Sequence, residues 1–484
     1  MNKMEKNLRV WFNSPEMKVR PKSHLTWGKK EDYHIYVAKC ATEGCQVSFK
    51  APDARKNMKI EILGKRGGFE IELLREYYAD CDGAKWPDPV VPDCGEFDLE
   101  AECNVTYLIN IATDENSVAG EYPLTVRLSE NGEIYGEYPL TVTVWNFVLD
   151  RSEPMHTGAE IARNFMLLRE KTDDPEGLYK KYYDFMLKRY HFCAYELPYD
   201  ILDPRADEYL DNPEVTVCYI PLSTDDETLK KYHAKLLKKP EWFKKTFFNI
   251  EDEPCNMEAY ERIKAAHERL ERVFPGYLAV SPFFKDPDGG NGVRAHELLK
   301  DITRVWCPKS VLYKDKDFCD FMAARDQEGD RVWWYVCWEP GLPYANLFVD
   351  MEGFYHRVLF WQQYLYRVRG LLYWTTTWWR DCDPWDSVST VRDLSYYCFG
   401  DGHLLYPGTR IGHDGPIGSL RFELVRYGIE DYHMLRMAEK AFGREWVDEL
   451  VKSVTPNIRE YNDDHDALDR VRIVIGEKLS NQSK

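Results

Sequence analysis

Positive charge is scarce in this chain: 64 Lys and Arg stand against 82 Asp and Glu, for a net charge of −18. That field repels polyanions, so neither nucleic acid nor an anionic membrane is an expected partner. Long apolar runs are missing too. No stretch approaches the roughly 18 residues that would cross a bilayer. The 13 cysteines contain no Cys-x-x-Cys pair, and the closest two, Cys40 and Cys45, have no second pair nearby. A cysteine zinc site is therefore not expected, nor is any other metal or cofactor. The N-terminal Met1-Asn2-Lys3-Met4-Glu5-Lys6 has charges with no apolar run behind them. It does not read as a secretory signal, and the odd cysteine count then reads as reduced thiols in a cytoplasm.

What is present is ordinary for a globular protein: 44% hydrophobic and 30% charged residues over 484 positions. That length has room for two or three domains, one of them a (β/α)8 barrel of about 250 residues. Nine of the 15 tryptophans lie between Trp306 and Trp385. Clustered indoles are mostly core, because each ring buries a large area. Two or three of these also suit stacking on the C–H faces of a sugar.

Residues 1–150 read as all-β. Tyr33–Ala38, Met58–Leu63 and Phe69–Leu74 alternate with period two, as half-buried strands do. "EYPLTV" occurs at 121–126 and again at 137–142, with the hairpin turn Asn131-Gly132 between them. The runs suggest a β-sandwich. Past a linker at Leu149–Pro154 the texture changes to strands alternating with helices. The strand candidates are Met155–Ala159, Phe192–Glu196, Val215–Pro221, Phe247–Glu251, Tyr277–Pro282, Arg304–Cys307, Val332–Trp338 and Leu371–Thr376. Helices are expected at Pro175–Arg189, Asp226–Leu237, Met257–Arg272 and Gly353–Arg369. Eight such units predict a closed (β/α)8 barrel over 151–440. A doubly wound sheet is disfavoured, since no Gly-x-Gly-x-x-Gly follows any strand. Trp378–Gly418 reads as irregular, Ser419–Lys440 as a helix, and 441–484 as a helical extension.

A barrel of this kind places its chemistry at the C-terminal ends of the strands. The fourth strand ends in Ile250-Glu251-Asp252-Glu253-Pro254. On a regular strand Asp252 and Glu253 point to opposite faces. Pro254 biases Glu253 to an extended backbone and ends the strand, letting both acids reach the mouth. The plain alternative is a solvated acidic loop capping the next helix, where acids are favourable. Spacing alone weighs the two evenly. The seventh strand ends in Trp338-Glu339-Pro340, another acid before a proline. Read alone, Glu339 is a turn acid. Carboxylates on strands four and seven are also the pair that many retaining glycosidases use. His156, near the first strand, reads as structural.

Further along, "WWYVCWEPGLPYANL" at 333–347 precedes "HRVLFWQQYLYRVRGLLYWTTTWW" at 356–379, Asp383-Pro384-Trp385, "GDGHLLYPG" at 400–408 and "SLRFELVRYGIEDYHML" at 419–435. With Asp252-Glu253-Pro254, this ordered series resembles family-123 glycoside hydrolases, the β-N-acetylgalactosaminidases, and the wider domain of unknown function related to them. The resemblance runs from about Pro154 to Leu435. It implies an exo-acting, retaining, substrate-assisted glycosidase acting on an oligosaccharide or glycoconjugate. Asp252 would orient the substrate's 2-acetamido group, whose oxygen attacks the anomeric carbon. Glu253 would protonate the leaving oxygen and then activate water, and a neighbouring anion that raises its carboxyl suits that role. Tyr335, Trp338 and Trp374 would form the sugar platform, and Asn346, Arg357 and Arg380 would contact hydroxyls, the arginines serving equally as ion-pair partners. Two alternatives stand beside this: a retaining glycosidase with Glu253 as acid/base and Glu339 as nucleophile, and a non-catalytic carbohydrate-binding protein.

Overall fold

The computed structural model describes residues 7–23, 28–284, 295–380, 382–388, 398–464 and 466–482. Its N-terminal part is built on the self-complementary repeat. Strands Gly120–Glu130 and Glu133–Val148 form a hairpin about Asn131 and Gly132, at φ +53° and +83°. The two "EYPLTV" copies therefore face each other, with Leu124 opposite Leu140 and Tyr122 opposite Val142. Leu124, Val126, Leu140 and Val142 all turn inward and are buried. This hairpin anchors a sheet ordered Tyr33–Lys39, Glu133–Val148, Gly120–Glu130, Arg55–Gly64, Glu96–Leu99. A second sheet runs Arg9–Asn13, Thr42–Lys50, Val105–Ala112, Glu70–Cys81, Ala84–Pro92, Pro416–Ser419, Tyr406–Pro407. The sheets share a core in which Phe49 and Tyr107 of the second meet Phe97 of the first, at 5.1 and 5.6 Å between ring centroids.

The last two strands of the second sheet come from the stretch that the sequence reads as irregular. Ser419 pairs with Pro89 and Gly418 with Val90. The local pattern there is too short to announce a strand; the edge supplied by Pro89 and Val90, far earlier in the chain, makes it one. Ser419 then caps the helix Leu420–Phe442 through Phe422 N. Almost every residue from Leu420 to Leu435 is buried, so this helix is the strut between the sheets and the rest of the chain. The final helix, Ala467–Gln482, lays Gly476 flat against the Trp145 ring, where a Cβ would collide with the indole.

Between Pro154 and Thr375 the strands are parallel and short. His156–Glu160 pairs with Gly370–Thr375, which pairs with Arg331–Val336, which pairs with Val305–Trp306. Cys218–Tyr219, Thr246–Asn249 and Ala279–Val280 form another parallel set. Parallel bridges join the two sets: Ala159 with Ala194, and Phe283 with Pro308, while Tyr219 N donates to Tyr195 O at 2.8 Å. Helices Pro175–Tyr190, Asp226–Leu236, Met257–Val273 and Gly353–Leu365 intervene, the first three capped by Asp174, Asp225 and Asn256. Phe247, Trp333, Tyr195 and Tyr219 pack among the strands as one aromatic cluster. No helix among the described residues is long and apolar enough to cross a membrane. No disulfide joins the described cysteines.

Candidate active site

Three consecutive acids follow the strand Thr246–Asn249, and the structure sends each to a different place. Glu251 turns outward and takes Arg262 of the following helix at 2.5 and 3.1 Å. Asp252 is exposed to solvent in a concave setting crowded by protein atoms. That crowding raises its carboxyl first, Glu253 adds to it, and the ammonium of Lys309 opposes both. Glu253 is one-quarter exposed and accepts a 2.5 Å hydrogen bond from the Tyr335 hydroxyl on Oε1. The same oxygen lies 3.2 Å from Lys309 Nζ.

Pro254 does not hold Glu253 extended, as the sequence reading expects. The φ of Glu253 is +47°, in the left-handed region, and the Glu253 N–H donates to Pro282 O at 2.9 Å. This kink breaks the two-residue alternation and frees Glu253 from the face opposite Asp252. For a non-glycine residue such a backbone costs about 1–2 kcal/mol, and outliers of this kind gather at active sites. The capping alternative is answered by Asn256, whose side chain, not an acid, accepts from Ala259 N at 2.9 Å.

Lys309 is the residue that sequence reasoning missed. The sequence pattern ends the sixth strand at Cys307, two positions short of it. Continued with period two, Lys309 falls on the same face as Val305 and Cys307. The bridges confirm the continuation: Lys309 N donates to Phe283 O at 2.8 Å, and Lys309 pairs with Tyr335. The ammonium is fully buried, 3.6 Å from Glu339 Oε2, and 4.0 and 5.0 Å from the ring centroids of Phe284 and Trp338. Glu339 thus reaches the same cluster as Glu253.

The aromatic expectations divide. Trp306, Trp333, Trp334, Trp361 and Trp379 are core, while Trp338, Trp374, Trp378 and Trp385 are partly exposed. Trp374, near the end of the strand Gly370–Thr375, is fixed on three sides. Its Nε1 donates to Asp401 at 3.1 Å, Gly402 passes so close that a Cβ would strike the indole, and Trp378 leans on it at 5.0 Å. Asp401 also accepts from Tyr373 Oη at 3.2 Å, and its burial pushes it up to about 6. This explains why "GDGHLLYPG" belongs with the site. Tyr335 is only 4% exposed, so it offers Glu253 its hydroxyl rather than a sugar its face.

The three hydroxyl-contact residues fare differently. Asn346 is fully buried, and its amide donates to Cys337 O and Pro340 O at 2.8 and 2.9 Å. It pins the loop that carries Trp338 and Glu339 and does not face a substrate. Arg357 is fully buried among Asp431, Glu43 and Glu16, at 2.7–2.8 Å from each. It is the ion-pair partner, not the hydroxyl contact. Arg380 is exposed after the last parallel strand, at φ +47°. His156 begins its strand, at the end away from the acids, and burial lowers it to about 3. Among the described residues no cluster of His, Cys, Asp and Glu is arranged to hold a metal ion.

An acid pair at a strand end, a buried cation and a half-exposed indole are the furniture of a sugar-cleaving site. The family model "Glycoside hydrolase 123, catalytic domain" matches residues 180–438. The chain belongs to glycoside hydrolase family 123. It is therefore a glycosidase. The structure is similar to that of a family 123 glycoside hydrolase from Clostridium perfringens, described for its hydrolysis of glycolipid glycans. The two are 14% identical, with 99% of this chain and 97% of that one covered and a TM-score of 0.70, which shows a shared fold. A family 39 glycoside hydrolase from Bacteroides cellulosilyticus WH2 aligns far more loosely, at 10% identity over 77% of this chain and 81% of that one, with a TM-score of 0.29. No curated protein matches the chain.

Proposed function

We propose that this family 123 glycosidase is an exo-acting, retaining β-N-acetylgalactosaminidase that works through its substrate's 2-acetamido group. The scaffold is read as a β-sandwich (1–150), a (β/α)8 barrel (151–440) and a helical extension (441–484), the ring of parallel pairings supporting the barrel. The observation that carries the reading is the split of two adjacent acids into unlike surroundings. Asp252 is open to the solvent side with a raised carboxyl, and Glu253 is clamped by Tyr335 and Lys309. Substrate-assisted enzymes need such a division of labour in place of two opposed carboxylates. Asp252 accepts the acetamido N–H and steadies the positive charge as the carbonyl oxygen closes on the anomeric carbon. Glu253 gives its proton to the leaving oxygen and afterwards takes one from water. Trp374 and Trp338 stack on the sugar, and Arg380 reaches its hydroxyls. The glycan of a glycolipid, as acted on by the Clostridium perfringens enzyme, is the natural substrate class to assay.

A second reading has its own observation: Lys309 touches Glu339 as well as Glu253. A shared ammonium suits carboxyls about 5–5.5 Å apart, the spacing of direct displacement with Glu339 as nucleophile. Paired aryl substrates separate the two. The first reading expects turnover of an N-acetyl-β-galactosaminide and none of the β-galactoside. Equal turnover of both, or of the galactoside alone, refutes it. A Glu339→Ala variant with intact chemistry removes the second reading.

A further inference from the structure

Lys309 is a buried charge without a fitted partner. Its side chain has no exposure, and among the described residues its Nζ makes no hydrogen bond of good geometry. Burying an ammonium this way is expensive unless something is gained. Its surroundings are two carboxylates at 3.2 and 3.6 Å and the faces of Phe284, Trp338 and Tyr335 at 4.0, 5.0 and 5.5 Å. Aromatic faces hold a cation loosely and without direction. The ammonium is thus free to favour either acid as their charges change. The buried guanidinium of Arg421, by contrast, is locked on Asp88 by paired hydrogen bonds at 2.7 and 2.8 Å.

Both contacts on Glu253 fall on one oxygen. Oε1 receives the Tyr335 hydroxyl and faces Lys309. An oxygen already serving a hydroxyl and a cation is the poorer place for a proton, so the proton sits on Oε2. We propose that Lys309 is a positioning residue, shared between Glu253 and Glu339, that fixes which Glu253 oxygen carries the catalytic proton and sets the pH at which that proton is lost. Glu339 then acts as the counter-charge that moderates Lys309. This rests on the reading of Glu253 as the acid/base.

Among the described residues, the groups near Glu253 are Asp252 on its own segment, Lys309 on the sixth strand, and Tyr335 and Cys337 on the seventh, with Glu339 sharing Lys309. Asp252 is a like charge beside Glu253, Lys309 is the opposite charge at 3.2 Å, and Glu339 shares that cation at 3.6 Å. Removing the cation and removing its moderator must therefore act in opposite directions.

The test is the pH profile of kcat/KM on an aryl N-acetyl-β-galactosaminide whose leaving group is poor enough to need protonation. Lys309→Met should move the basic limb upward by about one pH unit or more, the size expected for an opposite charge at this range. Lys309→Arg should return it toward the wild-type position, and Glu339→Gln should move it downward. If Lys309→Met folds poorly, the Arg and Gln variants carry the comparison. Limbs that stay in place while Glu253→Gln is inactive overturn the role of Lys309 and leave the catalytic reading standing. An active Glu253→Gln overturns both. A dead Glu339→Gln rescued by azide makes Glu339 the nucleophile and overturns its role as counter-charge.

Discussion

Two clusters of opposite charge sit inside this molecule, and they are built on different principles. Where the long strut helix meets the N-terminal sheets, Arg357 and Arg472 interleave with Asp431, Glu43 and Glu16. Every guanidinium there is held by paired hydrogen bonds at 2.7–3.3 Å, and Trp361 adds one more to Asp431. At the ends of the parallel strands, Lys309 faces Glu253 and Glu339 with no such fit, and Asp252 has its carboxyl raised. Both clusters desolvate charge. One answers it with fitted hydrogen bonds, although burial still raises Glu43 and pushes Glu16 up to about 7; the other leaves Lys309 without a fitted hydrogen bond among the described residues. The planar arginine fork suits the first arrangement and the point charge of lysine the second.

Substitutions should keep those two clusters apart. The largest effect on chemistry is expected from Glu253→Gln, with kcat lowered about 10²–10⁴-fold, the usual contribution of a general acid/base, and an unchanged melting temperature. The largest effect on stability is expected from Arg357→Ala. It strips Glu16 of its cation, leaves Glu43 and Asp431 to Arg472 alone, and should lower the unfolding free energy by about 3–5 kcal/mol in urea titration, with kcat per folded molecule retained. If that variant instead lost turnover at full stability, the division between the clusters would collapse.

Asp252→Asn crosses the division. It should cripple turnover of acetamido substrates while leaving the fold at least as stable as wild type at neutral pH. The folded-state carboxyl of Asp252 is raised above its ordinary 3.8, so its relative stabilising effect is fully present below that value and is lost as pH rises through the folded value. The variant's advantage in thermal unfolding should therefore grow above about pH 4 and vanish below it. The smallest effect belongs to Glu251→Ala. Its partner Arg262 is exposed, so stability should shift by less than about 0.5 kcal/mol and kcat/KM should stay near wild type. Three neighbouring acids would then give three distinct outcomes, as their surroundings require.

Much of this was legible in the chain itself, for identifiable reasons. Asn131-Gly132 and the repeated "EYPLTV" announce their hairpin because turn chemistry and period-two burial are local. The helices from Pro175, Asp226 and Met257 begin where Asp174, Asp225 and Asn256 cap them. The acid pair was visible because it ends a strand. What escaped depends on partners distant in sequence. Arg357 looks like a sugar ligand until Glu43, from a strand 314 residues away, closes over it. Pro416–Ser419 becomes a strand only beside Pro89 and Val90. Lys309 joins its strand only through bridges to Phe283 and Tyr335, and Glu253 escapes the extended backbone that Pro254 favours because Pro282 O takes its N–H.

The central claim is that Asp252 and Glu253 turn the substrate's own acetamido group into the nucleophile. A thiazoline derived from N-acetylgalactosamine is a stable mimic of the ring so formed, and its inhibition constant tests that claim most directly. Competitive inhibition at least about 10²-fold tighter than KM, weakened in Asp252→Asn, is the predicted result, because an analogue of the activated state binds more tightly than substrate. Turnover of the aryl N-acetyl-β-galactosaminide with no inhibition by the thiazoline would contradict it.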